Sequence, residues 1–232
     1  MKKTLFNTLG ACTLMAGSAH AALVYSEDFT SLVLQTQSAS TTDPVVTATT
    51  SGGTWSAGTG TTIVGTELAF TRPDTTGGWS ASTIVLASSL FTEGAGSYAL
   101  TFDYSAQTNV QSRLFAGVYD VDYSTGSLDS LNQVAGGWNR AFPTGTVTVS
   151  GGATASLLTS GIYDSLATGI TQNFEYDGSG DILLVFGGGR SSNNFGQSRL
   201  DNVAVNSIPE VSSTALFGLG FAGLLLRRRR CS

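Results

Sequence analysis

Between residues 22 and 208 apolar and polar side chains alternate with a period of two, and no long apolar pattern of period 3.6 occurs. This periodicity constrains the fold most, because alternate residues of a strand face opposite sides of a sheet, whereas a core-facing helix needs apolar residues three and four apart. Residues 97–104 set Tyr98, Leu100, Phe102 and Tyr104 on one face and Ser97, Ala99, Thr101 and Asp103 on the other. Residues 113–121 differ, with Phe115, Tyr119 and Val121 on one side and Leu114, Ala116 and Val118 on the other, which predicts a strand covered on both faces. Further strands are expected at 23–29, 61–64, 67–71, 82–86, 145–149, 172–176, 181–186 and 200–205. Asp177-Gly178-Ser179-Gly180 reads as the turn of a hairpin. The Ser/Thr-rich stretch 35–54 reads as a long loop, and so does the Gly-rich run 187–196. Such short strands with Gly-rich turns predict an all-β fold, a two-sheet β-sandwich of the jelly-roll kind, over residues 22–207.

The two ends follow different rules. Met1-Lys2-Lys3, an apolar stretch over 5–17 and Ser18-Ala19-His20-Ala21 have the layout of a secretory signal peptide cleaved after Ala21. Leu9-Gly10-Ala11-Cys12 has the residue types of a lipoprotein box, but only residues 4–8 precede it, interrupted by Asn7, too few for an apolar signal core. At the other end residues 211–226 carry no charge and precede Arg227, Arg228, Arg229 and Arg230. As a helix this segment covers about 24 Å, slightly short of a ~30 Å hydrocarbon core, so it is expected to be a single transmembrane helix. Arginines favour the cytoplasmic side, which would leave the region between the two ends outside.

Pro209-Glu210, the apolar segment and the arginine cluster together resemble the PEP-CTERM sorting signal of Gram-negative bacteria, here spanning 208–232. Pro209 and Glu210 match the first two motif positions, Val211 stands where a second proline is usual, and Cys231-Ser232 extends past the arginines. The resemblance implies a partner of the exosortase type, a membrane-embedded transpeptidase-like protease. It also implies export through the inner membrane, transient anchoring, and then a place at the cell surface or outside it. The plain alternative is a C-terminal anchor.

Composition narrows the chemistry of the exported region. Residues 22–208 hold fifteen acids against Arg72, Arg113, Arg140, Arg190 and Arg199, a net charge of −10, with no lysine, histidine or cysteine. That balance repels phosphate and argues against nucleic acid. Ser-His-Asp and Cys-His nucleophiles, His-ligated zinc, lysine Schiff bases, P-loops and disulfides are all excluded. A carboxylate pair such as Asp120 and Asp122 is the remaining catalytic option, and calcium held by oxygen ligands the remaining metal option.

Trp55, Trp79 and Trp138 each follow a Gly pair, a context that predicts turns. A tryptophan there either offers a flat face to a sugar ring or caps the open end of the sandwich. Arg190, in the Gly-rich run, could hydrogen-bond a glycan. The ends of the region, Tyr25-Ser26-Glu27-Asp28-Phe29 and Arg199-Leu200-Asp201-Asn202-Val203-Ala204-Val205, are similar to those of galactose-binding-like jelly rolls, which include many carbohydrate-binding modules. That resemblance implies adjacent first and last strands and a structural calcium ion near Glu27, Asp28 and Asp201. The same acids could simply cap strand ends. The reading as a whole is an exported, non-enzymatic surface or matrix protein whose β-sandwich binds or lies within exopolysaccharide. Its rivals are an extracellular hydrolase using a carboxylate pair and a purely structural coat protein.

Overall fold

Strands form wherever the alternation runs uninterrupted. The computed structural model describes residues 21–31, 46–49, 53–57, 61–70, 79–106, 112–128, 130–134, 145–190 and 197–209. Residues 21–208 form one unit. The segment expected as a signal peptide, as far as His20, and the tail from Glu210 onwards lie outside the described residues. Among the described residues no helix is long and apolar enough to cross a membrane.

Two sheets make a β-sandwich of the jelly-roll kind. The six-stranded sheet contains β1 (Leu23–Glu27), β4 (Thr61–Val64), β5 (Glu67–Phe70), β7 (Gly96–Ala106), β12 (Ala167–Tyr176) and β14 (Ser198–Ser207), in the order β12-β7-β14-β5-β4. The eight-stranded sheet contains β2 (Val46–Thr49), β3 (Gly53–Ala57), β6 (Trp79–Leu86), β8 (Ser112–Asp122), β9 (Ser130–Val134), β10 (Thr146–Ser150), β11 (Thr154–Tyr163) and β13 (Asp181–Arg190). Its order is β2-β3-β6-β13-β8-β11-β10-β9. All of these pairings are antiparallel. From β11 to β14 every step along the chain crosses between the sheets.

Strand β14 organises the first sheet. One side of it pairs with β7, and the other is shared, Ser198–Leu200 facing β5 and Val203–Asn206 facing β1. A bulge between Asp201 and Ala204 separates the two halves, with Asn202 at φ 50°. The first and last strands therefore lie side by side, as the resemblance implies, and Ser207 N–H donates to the Ala22 carbonyl at 2.8 Å.

The main core lies between the sheets. Tyr98, Leu100, Phe102 and Tyr104 of β7 all point into it, as the alternation predicts. They meet Leu114, Ala116 and Val118 of β8 and Ile182, Leu184 and Phe186 of β13. Phe102 packs edge-on against Phe186, with ring centroids 5.7 Å apart. Phe115, Tyr119 and Val121 of β8 and Leu183 and Val185 of β13, on the opposite face, are also buried, so the double coverage predicted within 113–121 holds. Phe115, Tyr119, Val121, Leu183 and Val185 form a second, smaller core on the far face of the eight-stranded sheet.

Four expectations change. Strands β12 and β13 are not a hairpin, because β12 pairs with β7 and β13 with β6 and β8. Gly178 and Gly180, at φ 89° and 74°, turn a corner between sheets that lets both strands bury apolar faces in the same core. Strands β2 and β3 fall within or across the end of the expected loop 35–54, where β-branched Val46, Thr47, Thr49 and Thr54 suit extended backbone. Strand β11 escapes period-two reading because a bulge between Leu157 and Thr159 shifts its register. The Gly187-Gly188-Gly189 run is strand, not loop. A Cβ on Gly188 would lie 2.5 Å from the Phe70 Cβ and 2.8 Å from the Ser198 Cβ, so glycine here lets the two sheets approach. Gly188→Ala is expected to cost about 1–3 kcal/mol in denaturant unfolding, the usual penalty of overpacking. An unchanged midpoint would contradict this close approach.

Candidate functional site

The far face of the eight-stranded sheet is built from cross-strand rows. Strand β9 comes back beside β6 and β3, so the sheet curls and this face is concave. At one end Val149, Ala153, Ala155, Leu157 and Leu128 close over Tyr119, Val121 and Leu183. Towards the other end the rows become small. Thr83, Val185, Gly117 and Ser160 make one, and Ala81, Gly187, Phe115 and Ile162 the next. The Phe115 and Tyr119 rings close over Gly117, where an added Cβ would meet both at 2.9 Å.

The last row runs Trp79, Gly189, Arg113. Arg113 Nε pairs with Asp164 Oδ1 at 2.8 Å, with the two side chains 53% and 60% exposed. A guanidinium and a carboxylate thus stand exposed at the end of a glycine-containing row that begins at a tryptophan position. Neither Arg113 nor Asp164 is a sequence-predicted site residue. They lie far apart in the chain and belong to no local motif, and only the strand register brings them together.

The expected ligand contacts are dispersed. Trp55 lies within β3 opposite Ile84, and Trp79 within β6 opposite Gly189, so both occupy strands rather than the expected loops. The register therefore sets the two tryptophan positions five residues apart along β6, one level with Ile84 and the other at its start. Arg190 ends β13 opposite Ser112, and Trp138 lies outside the described residues. Of the sorting motif, Pro209 is described and follows β14, while Glu210 and Arg227–Arg230 lie outside.

The acids at the domain's two ends serve the backbone. Buried Glu27 accepts the Phe29 N–H at 2.7 Å, where Phe29 has a φ of 56°. Desolvation raises its pKa, with Asp28 adding to the effect. Asp28 accepts from the Thr30 hydroxyl and N–H, which lowers its pKa. Asp201 accepts the Asn202 N–H at 2.8 Å, and burial followed by Glu67, Asp103 and Asp28 pushes its pKa up. Among the described residues no group of three or more His, Cys, Asp or Glu side chains could hold a metal ion.

A second set of acids gathers where β8 ends beside the β12–β13 corner. Burial raises the pKa of Asp120, and Asp177, Asp122 and Asp181 add to it. Asp120 Oδ1 is buried without a hydrogen-bond partner and would lie 2.8 Å from a Cβ on Gly180. Asp122 and Asp177 accept from Ser124 and Ser179, which lowers both pKa values. Asp181 accepts from the Tyr123 hydroxyl at 2.8 Å and from the Ser88 N–H at 2.9 Å. The carboxyls of Asp120 and Asp122 thus sit in opposite environments, with Asp122 held by its own turn.

No family model matches the chain, and no curated protein matches it. Among solved structures it is similar to a xylan-binding domain from CBM 22, at 11% identity and a TM-score of 0.37, covering 81% of this chain and 96% of that one. It is also similar to the Emp47p carbohydrate recognition domain, at 10% identity and a TM-score of 0.38, covering 83% and 99%. TmCBM61, solved in complex with beta-1,4-galactotriose, aligns at 10% identity and a TM-score of 0.27 over 64% and 74%.

The acid cluster makes a signed prediction. An acid whose pKa is raised by folding costs stability when ionised, and the cost appears as pH rises above its unfolded value. Asp120→Asn should therefore raise Tm near neutral pH, and the gain should vanish in acid below the carboxylate range. A gain that persists in acid would show that charge is not its origin.

Proposed function

We propose that this chain is an exported, non-catalytic β-sandwich that binds polysaccharide at the cell surface. The observation that carries the reading is the row Trp79, Gly189, Arg113 with Asp164 at its end. Sugars present apolar C–H faces and rims of hydroxyls. An exposed guanidinium and carboxylate match the second as charge-assisted donor and acceptor, and the tryptophan position in the same row supplies a residue type suited to the first. The absence of histidine, lysine and cysteine between 22 and 208 removes the common nucleophiles and bases and supports binding over catalysis.

Export by the N-terminal segment and sorting by the 208–232 tail complete the proposal. The support is the order of Pro209-Glu210, an uncharged segment and four arginines. In this scheme the tail holds the protein in the inner membrane of a Gram-negative cell until an exosortase-type protease acts. The sandwich then joins the extracellular polysaccharide.

Polysaccharide pull-down and glycan-array binding of the full chain are expected to show retention. Arg113→Ala and Trp79→Ala should each weaken it about tenfold, the loss of roughly 1.4 kcal/mol. Affinity unchanged from the unsubstituted protein in both variants would remove this row as the site, and no binding to any glycan would remove the function. Separately, replacing Pro209 and Glu210 by alanine should abolish the processed C-terminus in mass spectra of the surface fraction. An unchanged cleavage product would count against recognition of the motif.

A further inference from the structure

Strand β11 has two unlike edges. Along one it pairs with β8 from Thr154 to Tyr163. Along the other, β10 pairs only with Thr154, Ala155 and Ser156, after which Leu157 N–H donates to the Gly145 carbonyl. Beyond that point, residues 158–163 pair along this edge with no further strand among the described residues. Natural sheets blunt such edges with charge or proline. This one has neither, because Thr154–Tyr163 reads TASLLTSGIY.

Apolar exposure concentrates on the same edge. The described residues include five exposed large hydrophobics, and Leu158, Ile162 and Leu166 are three of them, at 37%, 58% and 61%. Leu158, Ser160 and Ile162 alternate along the strand as its exposed positions. The spacing is self-complementary. An antiparallel pair of β11 strands centred on Ser160 sets Leu158 of each copy opposite Ile162 of the other, two apolar cross-strand pairs around one two-fold axis. Charge points to the same place. Residues 22–208 carry −10, so two copies repel each other, yet a β11–β11 contact brings no charged side chain of either strand together.

We propose that β11 pairs with β11 of a second copy of this chain, joining the two eight-stranded sheets edge to edge. The inference does not rest on glycan binding and would hold for a protein with no ligand.

Cross-linking tests it on the full chain in mild detergent, with Cys12 and Cys231 replaced by serine. Directly opposed residues of an antiparallel pair lie about 4.5–5.5 Å apart at Cα, within reach of a disulfide. Ser160→Cys should therefore oxidise to a covalent dimer, while Asn173→Cys, exposed on β12 of the other sheet, should not. Sedimentation should give twice the chain mass for the unmodified protein and the single mass for Ile162→Lys, with unchanged far-UV circular dichroism. A monomer at every concentration, equal cross-linking at both positions, or an Ile162→Lys dimer would overturn it.

Discussion

Strands β8 and β13 carry apolar side chains on both faces, and the rest of the structure follows from covering them twice. One face meets the six-stranded sheet across the main core. The other needs a second cover, which the same sheet supplies by curling until β9 returns beside β6 and β3. Fully burying one large apolar side chain is worth about 1.5–3 kcal/mol. Leaving Phe115, Tyr119 and Leu183 in water would therefore forfeit several such terms. The curl also makes the far face concave, and the candidate site lies at the end of it away from Val149 and Ala153.

Without cysteine between 22 and 208, this core carries the stability that small exported domains often draw from disulfides. Aromatic contacts run along it, from Phe91 through Tyr98 and Phe174 and from Phe102 to Tyr163. The two ion pairs among the described residues differ in what they contribute. Arg199 meets Glu67 at 2.7 Å in half-buried surroundings, beside the Ser105 hydroxyl that donates to the same carboxylate, and ties β14 to β5 and β7. The Arg113–Asp164 pair is exposed, and such pairs contribute at most about 1 kcal/mol. Its charges are better understood as available to a ligand than as a fastening.

What the sequence made legible is what local alternation encodes. The core face of β7 and the double burial of β8 can be read directly, because each depends only on parity within a strand. Pairing partners cannot be read this way. Asp177–Gly180 has the residues of a hairpin turn, and nothing local says that the strands it joins enter different sheets. The triglycine of β13 looks like a loop until Phe70 and Ser198, distant in sequence, are seen pressing against it. The tryptophans drew attention by their Gly-Gly context, yet register separates Trp55 from Trp79. Arg113 and Asp164 drew none, and register joins them.

The place of β14 bears on how this chain reaches its folded state. It is hydrogen-bonded on both sides, to β7 along one and to β5 and β1 along the other, yet it is the last of the described strands in chain order. Until residues 198–207 are free to dock, the six-stranded sheet lacks the strand that joins β7 to β5, and β1 has no described partner at all. The sheet therefore closes through contacts between its most distant segments, a topology that folds slowly and only after the whole chain is available. The six-stranded sheet thus stays open along its middle until the last of the described strands arrives.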